Sequence, residues 1–180
     1  MQILSVLVIL AAGLALAFAA FNFFGIKKMP EGTQKMSEIA SAIRVGANAF
    51  ISYEYKILYL VVAIVAVLMA IVTTWHAAVA LVIGAVMSGC AGYIGMKIAT
   101  YANVRVSNTA RQTADIGKTV KIAFKGGSVM GLSVAGFALL GLFIVYIVFG
   151  LGLKQLEVTE ATYTNLIGLK FIPFTMTLSG

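Results

Sequence analysis

Residues 3–26 read ILSVLVILAAGLALAFAAFNFFGI, a run in which no side chain carries a charge. A transmembrane helix needs about 20 consecutive apolar residues to cross the hydrocarbon core of a bilayer. No Lys or Arg precedes the run, and it is longer than the apolar core of a signal peptide. The run therefore predicts a first transmembrane helix that stays in the protein. Largely apolar runs at 57–73, 77–104 and 126–153 predict three more.

The composition supports the same class of protein. Of the 180 residues, 61% are hydrophobic and 11% are charged, whereas about 25% are charged in ordinary soluble domains. A soluble domain of this size cannot keep so much apolar surface from water. Soluble enzymes and disordered tails are therefore excluded, and the single cysteine, Cys90, excludes an internal disulfide framework. We predict an all-α membrane protein with four transmembrane helices and the start of a fifth.

The connections between these runs differ in character. Residues 30–56 begin with a turn, offer Thr33 as an N-cap, and then place apolar residues three and four apart, which is typical of an amphipathic helix. This helix is predicted to follow the first transmembrane helix and to run unbroken into the second. Residues 73–76 form a very short connection, 105–125 are predicted as a polar and basic loop, and 154–170 as a second polar loop.

The distribution of basic residues predicts the orientation of the helices. Five lie in 27–56, none lies in the next connection, six lie in 97–125 and two lie in 154–170, so alternate connections carry 11 and 2. The positive-inside rule places 27–56 and 97–125 in the cytoplasm, with the N-terminus and 154–170 outside. The net charge of +7 is thereby explained without nucleic acid. The predicted partner is the lipid bilayer of the cell (inner) membrane.

Residues 171–180 form a fifth apolar segment that is too short to cross. As a helix, ten residues span roughly 15 Å, about half of the hydrocarbon core. A chain end with unpaired carbonyls at that depth costs several kcal/mol for each unsatisfied group. This segment predicts a truncated fifth helix and hence an N-terminal fragment of a longer chain. The alternative is a segment that lies in the membrane interface.

Small residues recur every four positions on several predicted helices. Such faces let helix backbones approach closely in lipid. A glycine-lined pore is the functional alternative, but no intramembrane charge supports it. The faces are Ala11, Ala15 and Ala19; Ala80, Gly84, Ser88 and Gly92; Ala91, Gly95 and Ala99; and Gly127, Gly131 and Ala135.

No active site can be built from these residues. The chain has one Asp and five Glu, scattered over four places, and Glu157 and Glu160 have no further ligand nearby. His76 is interpreted as an interfacial anchor beside Trp75, and Cys90 as a packing residue. The stretch Gly126–Gly131 has the look of a phosphate loop but lacks the Lys-Ser/Thr that must follow it. We therefore predict no catalytic, cofactor-binding or metal-binding residue in this chain.

Four polar residues near the apolar runs are predicted to make structural contacts. Asn22 and Asn103 are placed to hydrogen-bond a neighbouring helix. Arg105 and Arg111 follow the third apolar run, where they either extend toward the headgroups or pair with an acid elsewhere in the chain.

Three stretches in order resemble the start of the integral-membrane pyrophosphatases, which pump ions with the energy of pyrophosphate hydrolysis. They are EGTQKMSEIASAIRVGANAF at 31–50, GAVMSGCAGYIGM at 84–96 leading into ANVR at 102–105, and AFKGGSVMGL at 123–132. The resemblance covers essentially the whole chain. It is closest to the bacterial, potassium-stimulated, sodium-pumping branch.

The resemblance implies a homodimer of subunits with sixteen transmembrane helices, of which the first four belong to an outer ring. It implies Mg-pyrophosphate as substrate of the full-length protein, with Mg²⁺ and, in the potassium-stimulated branch, K⁺ as cofactors, none of them bound by this fragment alone. The Asp-rich binding motif of the family is absent from these 180 residues. The remaining helices of the pump are therefore expected partners, and the fragment is not expected to be active alone.

Two rival hypotheses remain at the level of the sequence. The chain is either a complete small four-helix membrane protein, such as a channel or an assembly factor, or a truncated and inactive gene remnant. The residues beyond Gly180 in the coding sequence separate these hypotheses from an N-terminal pump fragment.

Overall fold

The computed structural model describes residues 2–151, which form four long helices. These are α1 (Gln2–Lys27), α2 (Gln34–Val72), α3 (Trp75–Thr113) and α4 (Ile116–Val145), and α4 continues into a π-helical stretch, Tyr146–Leu151. All four are long and apolar enough to cross a membrane. The prediction of an all-α membrane protein with four transmembrane helices is confirmed. The predicted loop 154–170 and fifth segment 171–180 lie outside the described residues.

Side-chain caps begin three of the helices. The backbone N–H of Met36 donates to Thr33 Oγ1 (3.4 Å), that of Ala77 to Thr74 Oγ1 (3.4 Å), and that of Lys118 to an Asp115 carboxylate oxygen (3.2 Å). Each cap satisfies an N–H that has no partner within its own helix. Thr33 therefore has the capping role that its position in the sequence predicts.

The structure differs from the sequence prediction over residues 105–125. This segment, predicted as a loop, is helical except at Ala114 and Asp115. A helix of 39 residues is about 58 Å long, whereas the hydrocarbon core is about 30 Å thick. The segment is therefore polar because α3 continues beyond the hydrocarbon there, and its polarity does not mark the end of the helix. The break falls at Ala114, whose φ of 50° is the left-handed conformation that ends helices.

The predicted amphipathic segment 30–56 and the predicted second transmembrane helix 57–73 form one structure. Both lie in α2, which is continuous over 39 residues. The predicted fourth helix, 126–153, begins ten residues earlier, at Ile116. In each case a basic or polar extension joins the apolar run without a helix-breaking residue, so the backbone hydrogen bonds continue.

The chain divides into two compact units. We call residues 13–54 and 90–136 the polar unit, and residues 2–12, 55–89 and 137–151 the aromatic unit. The core of the polar unit consists of Ala19, Ile26, Ile98, Ala102 and Val129. The core of the aromatic unit consists of Ala80, Val145 and Phe149, with Ile83 against it.

The predicted small-residue faces have mixed outcomes. Ala80 and Gly84 are buried, as are Ala91 and Gly95, which fits close helix packing. On α4 the predicted face is wrong, because Gly127, Gly131 and Ala135 are exposed. The packed face is one position away and consists of Gly126, Val129, Ser133 and Gly136. A Cβ built on Gly126 would lie 2.9 Å from the Ala102 Cβ, so glycine permits the approach of α4 to α3.

Candidate functional site

A polar cluster is centred on Glu31, in the connection between α1 and α2. The carboxylate accepts hydrogen bonds from both terminal nitrogens of Arg44 (2.7 and 3.1 Å), from Ser37 Oγ (3.0 Å) and from Arg105 Nη2 (3.3 Å). The paired contact with Arg44 is the bidentate geometry that suits a guanidinium and a carboxylate. We call Glu31, Ser37, Arg44, Arg105 and Asn108 the Glu31 cluster. The cluster joins residues of α2 and of α3 to Glu31, which lies in the connection between α1 and α2.

Arg105 is the most buried charged member, with 4% of its surface exposed. Besides Glu31, it donates to three backbone carbonyls: Nε to Met29 (2.9 Å), Nη2 to Lys27 (2.9 Å) and Nη1 to Tyr101 (2.8 Å). The guanidinium group offers five N–H donors in a fixed plane. Arg105 therefore ties α3 to the end of α1, where helix carbonyls lack partners within the helix.

Asn108 extends the same contact by one helical turn. Its amide donates to the Pro30 carbonyl (3.3 Å), and its oxygen accepts from Arg111 Nη2 (3.2 Å). Gly32 has a φ of 101°, and a Cβ there would lie 2.7 Å from the Asn108 Oδ1. A residue with a side chain is therefore disfavoured at position 32 by both the backbone conformation and the space.

The Tyr101 ring gathers positive charge beside the cluster. The Lys27 ammonium lies 5.7 Å from the ring centroid, and the guanidinium groups of Arg44 and Arg105 lie at 5.2 and 5.6 Å. The negative face of an aromatic ring attracts cations at these distances. The ring thus lowers the repulsion among these three cations, of which Arg44 and Arg105 also share the Glu31 carboxylate.

These contacts keep Glu31 ionised. The hydrogen bond from Arg44 is the largest influence, and bonds from Ser37 and the charge of Arg105 add to it, against a smaller effect of burial. Together they lower the pKa of Glu31 from 4.5 to about 2. The carboxylate is therefore charged at any physiological pH, and the cluster acts as a permanent ionic contact.

A second polar contact joins α1 to α4 in the same unit. The buried Asn22 donates through its amide to Ser128 Oγ (3.1 Å), and Ser128 donates to the Lys125 carbonyl (2.9 Å). This is the interhelical hydrogen bond predicted for Asn22. Asn103, by contrast, is exposed.

The other residues considered in the sequence take varied positions. Arg105 pairs with an acid, Glu31, which is one of the two alternatives predicted for it. His76 stacks on Trp75 at 3.8 Å and meets Phe149 at 5.3 Å. Cys90 is exposed among the described residues, so its interpretation as a packing residue stays a prediction. Residues 126–131 lie inside α4 and form no loop. Glu157 and Glu160 lie outside the described residues.

Sequence reasoning missed Glu31 as the centre of the cluster. A usable signal lay in α3, where Tyr101, Arg105 and Asn108 recur at spacings of four and three and so share one helix face. Their polarity favoured a loop over a buried helical face. Among residues 6–149 no group of three or more His, Cys, Asp or Glu could hold a metal ion.

Comparison with known proteins gives a family match over most of the chain. Residues 13–180 match the family model described as inorganic H⁺ pyrophosphatase. A K⁺-stimulated pyrophosphate-energized sodium pump of Thermotoga maritima is 52% identical over 166 residues, which are 92% of this chain and 23% of that pump.

Further relatives include both a proton pump and a sodium pump. A K⁺-insensitive pyrophosphate-energized proton pump of Methanosarcina mazei is 41% identical over 143 residues, or 78% of this chain and 21% of the pump. A putative K⁺-stimulated sodium pump of Clostridium tetani is 43% identical over 142 residues, with similar coverage. The chain thus spans less than a quarter of the length of these relatives.

Proposed function

The chain belongs to the inorganic H⁺ pyrophosphatase family, and we propose that it forms the N-terminal, outer-ring part of a pump that exports Na⁺ or H⁺ with the energy of pyrophosphate hydrolysis. The observation that carries this proposal is the match over residues 13–180. The greater identity to a sodium pump than to a proton pump, 52% against 41%, favours Na⁺ as the transported ion.

In this proposal the chain supplies structure, and the reaction takes place in the remaining helices of the pump. Hydrolysis of Mg-pyrophosphate calls for several metal-binding carboxylates close together. Residues 6–149 do not bring three metal-binding side chains together, so they do not fit a Mg²⁺ site. We therefore assign Mg²⁺ and the Mg-pyrophosphate substrate to the rest of the protein. K⁺ as a cofactor and a homodimer are proposed for the full-length pump from the family resemblance alone.

The Glu31 cluster has a definite part in this arrangement. It fixes the charged ends of α1, α2 and α3 against each other within the polar unit. We expect this end to face the cytoplasm of a cell whose inner membrane holds the pump, because the connections 27–56 and 97–125 carry 11 basic residues. Arg105 is 4% exposed, so little water reaches its hydrogen bonds, and the bidentate contact between Arg44 and Glu31 adds geometric specificity to the attraction of their charges.

The test is transport by the protein at the length that its gene encodes, in inside-out vesicles. Addition of Mg-pyrophosphate should release phosphate and drive ²²Na⁺ into the lumen, and a protonophore should leave Na⁺ uptake intact. Acidification of the lumen that a protonophore abolishes would instead identify H⁺ as the transported ion. If the protein neither releases phosphate nor takes up either ion, the proposal is overturned, and a small channel or an assembly factor is favoured.

The orientation has its own test in intact cells. In a Cys90→Ser background, Lys118→Cys should resist a membrane-impermeant thiol reagent, whereas Thr74→Cys, in the connection between α2 and α3, should react. The two positions are a matched pair because each lies at or beside a break between helices. Labelling at position 118 with protection at position 74 would show that the helices have the opposite orientation.

A further inference from the structure

Lys125 reaches from α4 across to α1 inside the polar unit. Its Nζ lies 2.8 Å from the position that a Cβ on Gly25 would take, and 5.9 Å from the centroid of the Phe21 ring. The absence of a side chain at Gly25 makes room for the ammonium group. The charge is thereby held at the groove between two helices, at the end of the apolar run of α1.

Further lysines share this groove. Lys118, Lys121 and Lys125 follow one another at spacings of three and four, so they lie on one face of α4. Lys28 lies three positions after Gly25, in the turn that directly follows α1. We call the groove between α1 and α4 at Gly25 and Lys125 the lysine groove, and Lys28, Lys118 and Lys121 are the further lysines at this end of the two helices.

The positive charge of the groove is poorly compensated. Within the described part of the chain, Lys118 has a carboxylate partner, Asp115, at 3.6 Å, and no carboxylate lies within 4.0 Å of Lys28, Lys121 or Lys125. Like charges at i and i+4 repel each other. An anion bound between Lys121 and Lys125 would relieve this repulsion.

The surroundings indicate which kind of anion fits. Phe21 and Phe24 lie on the face of α1 beside Gly25 and are 70% and 59% exposed. A soluble anion gains nothing from such an apolar wall, whereas acyl chains gain contact with it. Lysines at the end of an apolar helix extend to the depth of the lipid phosphates and attract anionic headgroups.

We propose that the lysine groove binds an anionic phospholipid, with the headgroup phosphate between Lys121 and Lys125, Lys28 beside it, and an acyl chain along Phe21 and Phe24. Only the assignment of this site to the cytoplasmic leaflet of the membrane rests on the proposed function. Lipid bound here would hold α1 and α4 together at a point where Asn22 and Ser128 provide the nearest polar contact.

The test measures lipid retention by the protein at its encoded length, purified in a neutral detergent. Native mass spectrometry with added phosphatidylglycerol or phosphatidylcholine should show tight binding of phosphatidylglycerol alone. Lys121→Gln and Lys125→Gln should each weaken that binding about fivefold, and the double variant about 30-fold. Lys35→Gln, an equal loss of charge at an exposed site outside the groove, should change it less than twofold.

Several results would overturn the proposal. They are equal binding of the two lipids, equal effects of Lys35→Gln and Lys125→Gln, or displacement of the lipid by millimolar phosphate or pyrophosphate, which would indicate a site for a soluble anion. Pyrophosphate hydrolysis is assayed on the same preparations. Loss of lipid selectivity in an active pump would refute the lysine groove alone, and intact selectivity in an inactive protein would refute the proposed function alone.

Discussion

The contacts within the polar unit differ in kind from the contacts within the aromatic unit. In the polar unit, Arg44 and Arg105 share Glu31, and Arg105 adds three bonds to backbone carbonyls. In the aromatic unit, Phe149 meets Trp75 at 6.2 Å and His76 at 5.3 Å. A hydrogen bond between α2 and α3 in this unit joins two neutral groups, the Tyr55 hydroxyl and the Gly89 carbonyl, at 2.6 Å.

This difference follows from what each environment permits. A charge in hydrocarbon is expensive unless it is paired, and helices there associate through close packing and neutral hydrogen bonds. At the end of a membrane helix, where water and headgroups are near, an ionic contact becomes affordable and selects one arrangement of the helices. We therefore expect the polar unit to respond strongly to changes of charge and pH, and the aromatic unit to respond weakly.

The largest effect is expected from Arg105→Ala. The change strands the carbonyls of Lys27 and Met29 and removes one of the two cations from Glu31. Each unpaired buried group costs about 1–3 kcal/mol, so the free energy of unfolding should fall by about 3–5 kcal/mol. Detergent-induced equilibrium unfolding of the purified protein measures this loss.

Arg111→Ala is the matched control for that experiment. Arg111 lies on the same helix and is exposed, with one hydrogen bond to Asn108. Its loss should change the free energy of unfolding by less than about 1 kcal/mol. Similar losses for both variants would show that the Glu31 cluster does not set the stability of the polar unit.

The next effect is a dependence of stability on pH that originates at Glu31. Because its pKa is about 2 in the folded protein against 4.5 as the ordinary value, the stabilisation is complete above pH 4.5. It is lost as the pH falls from about 4.5 to 2. About a fifth of the side chain is exposed, so the loss is at most about 3 kcal/mol.

Substitution identifies the source of this pH dependence. Glu31→Gln should lower stability at pH 7 and flatten the fall of the thermal midpoint between pH 4.5 and 2. Glu38→Gln, at an exposed position on α2, should leave that fall intact. A wild-type midpoint that stays constant from pH 5 to 2.5 would contradict the role of Glu31.

Much of the fold follows from the sequence, and the cluster does not. The apolar runs predict four helices because hydrocarbon leaves the backbone few alternatives. Arg105 and Asn108 carry no such constraint, since a polar residue suits a solvated loop and also, once it has hydrogen-bond partners, a buried helical face. Their partners, Glu31 and the carbonyls of Lys27, Met29 and Pro30, are more than 70 positions away in the chain. Such pairing depends on how the helices pack, which local pattern does not reveal.

Packing without charge can be tested at two adjacent glycines of α4. Gly126→Ala brings its new methyl group to 2.9 Å from the Ala102 Cβ, and neither atom is the mobile end of a long side chain. We expect a loss of about 1–2 kcal/mol, which is the strain of overpacking less the helix preference of Ala. Gly127→Ala, whose new methyl has no atom of another described element within 4 Å, should be neutral or stabilising. A larger loss of stability for Gly127→Ala than for Gly126→Ala would contradict the assignment of Gly126 to the packed face of α4.

The smallest effect is expected in the aromatic unit, from Tyr55→Phe. The change deletes the hydroxyl that donates to the Gly89 carbonyl and keeps the ring that meets Tyr59 at 5.9 Å. Polar contacts between membrane helices contribute about 0.6 kcal/mol on average, because the separated helices find other partners. Tyr59→Phe removes a hydroxyl from the same face of α2 and is the control, with a change near zero. A loss above about 2 kcal/mol for Tyr55→Phe would mean that a neutral bond in this unit matches the ionic contacts of the polar unit, and the contrast between the two units would then fail.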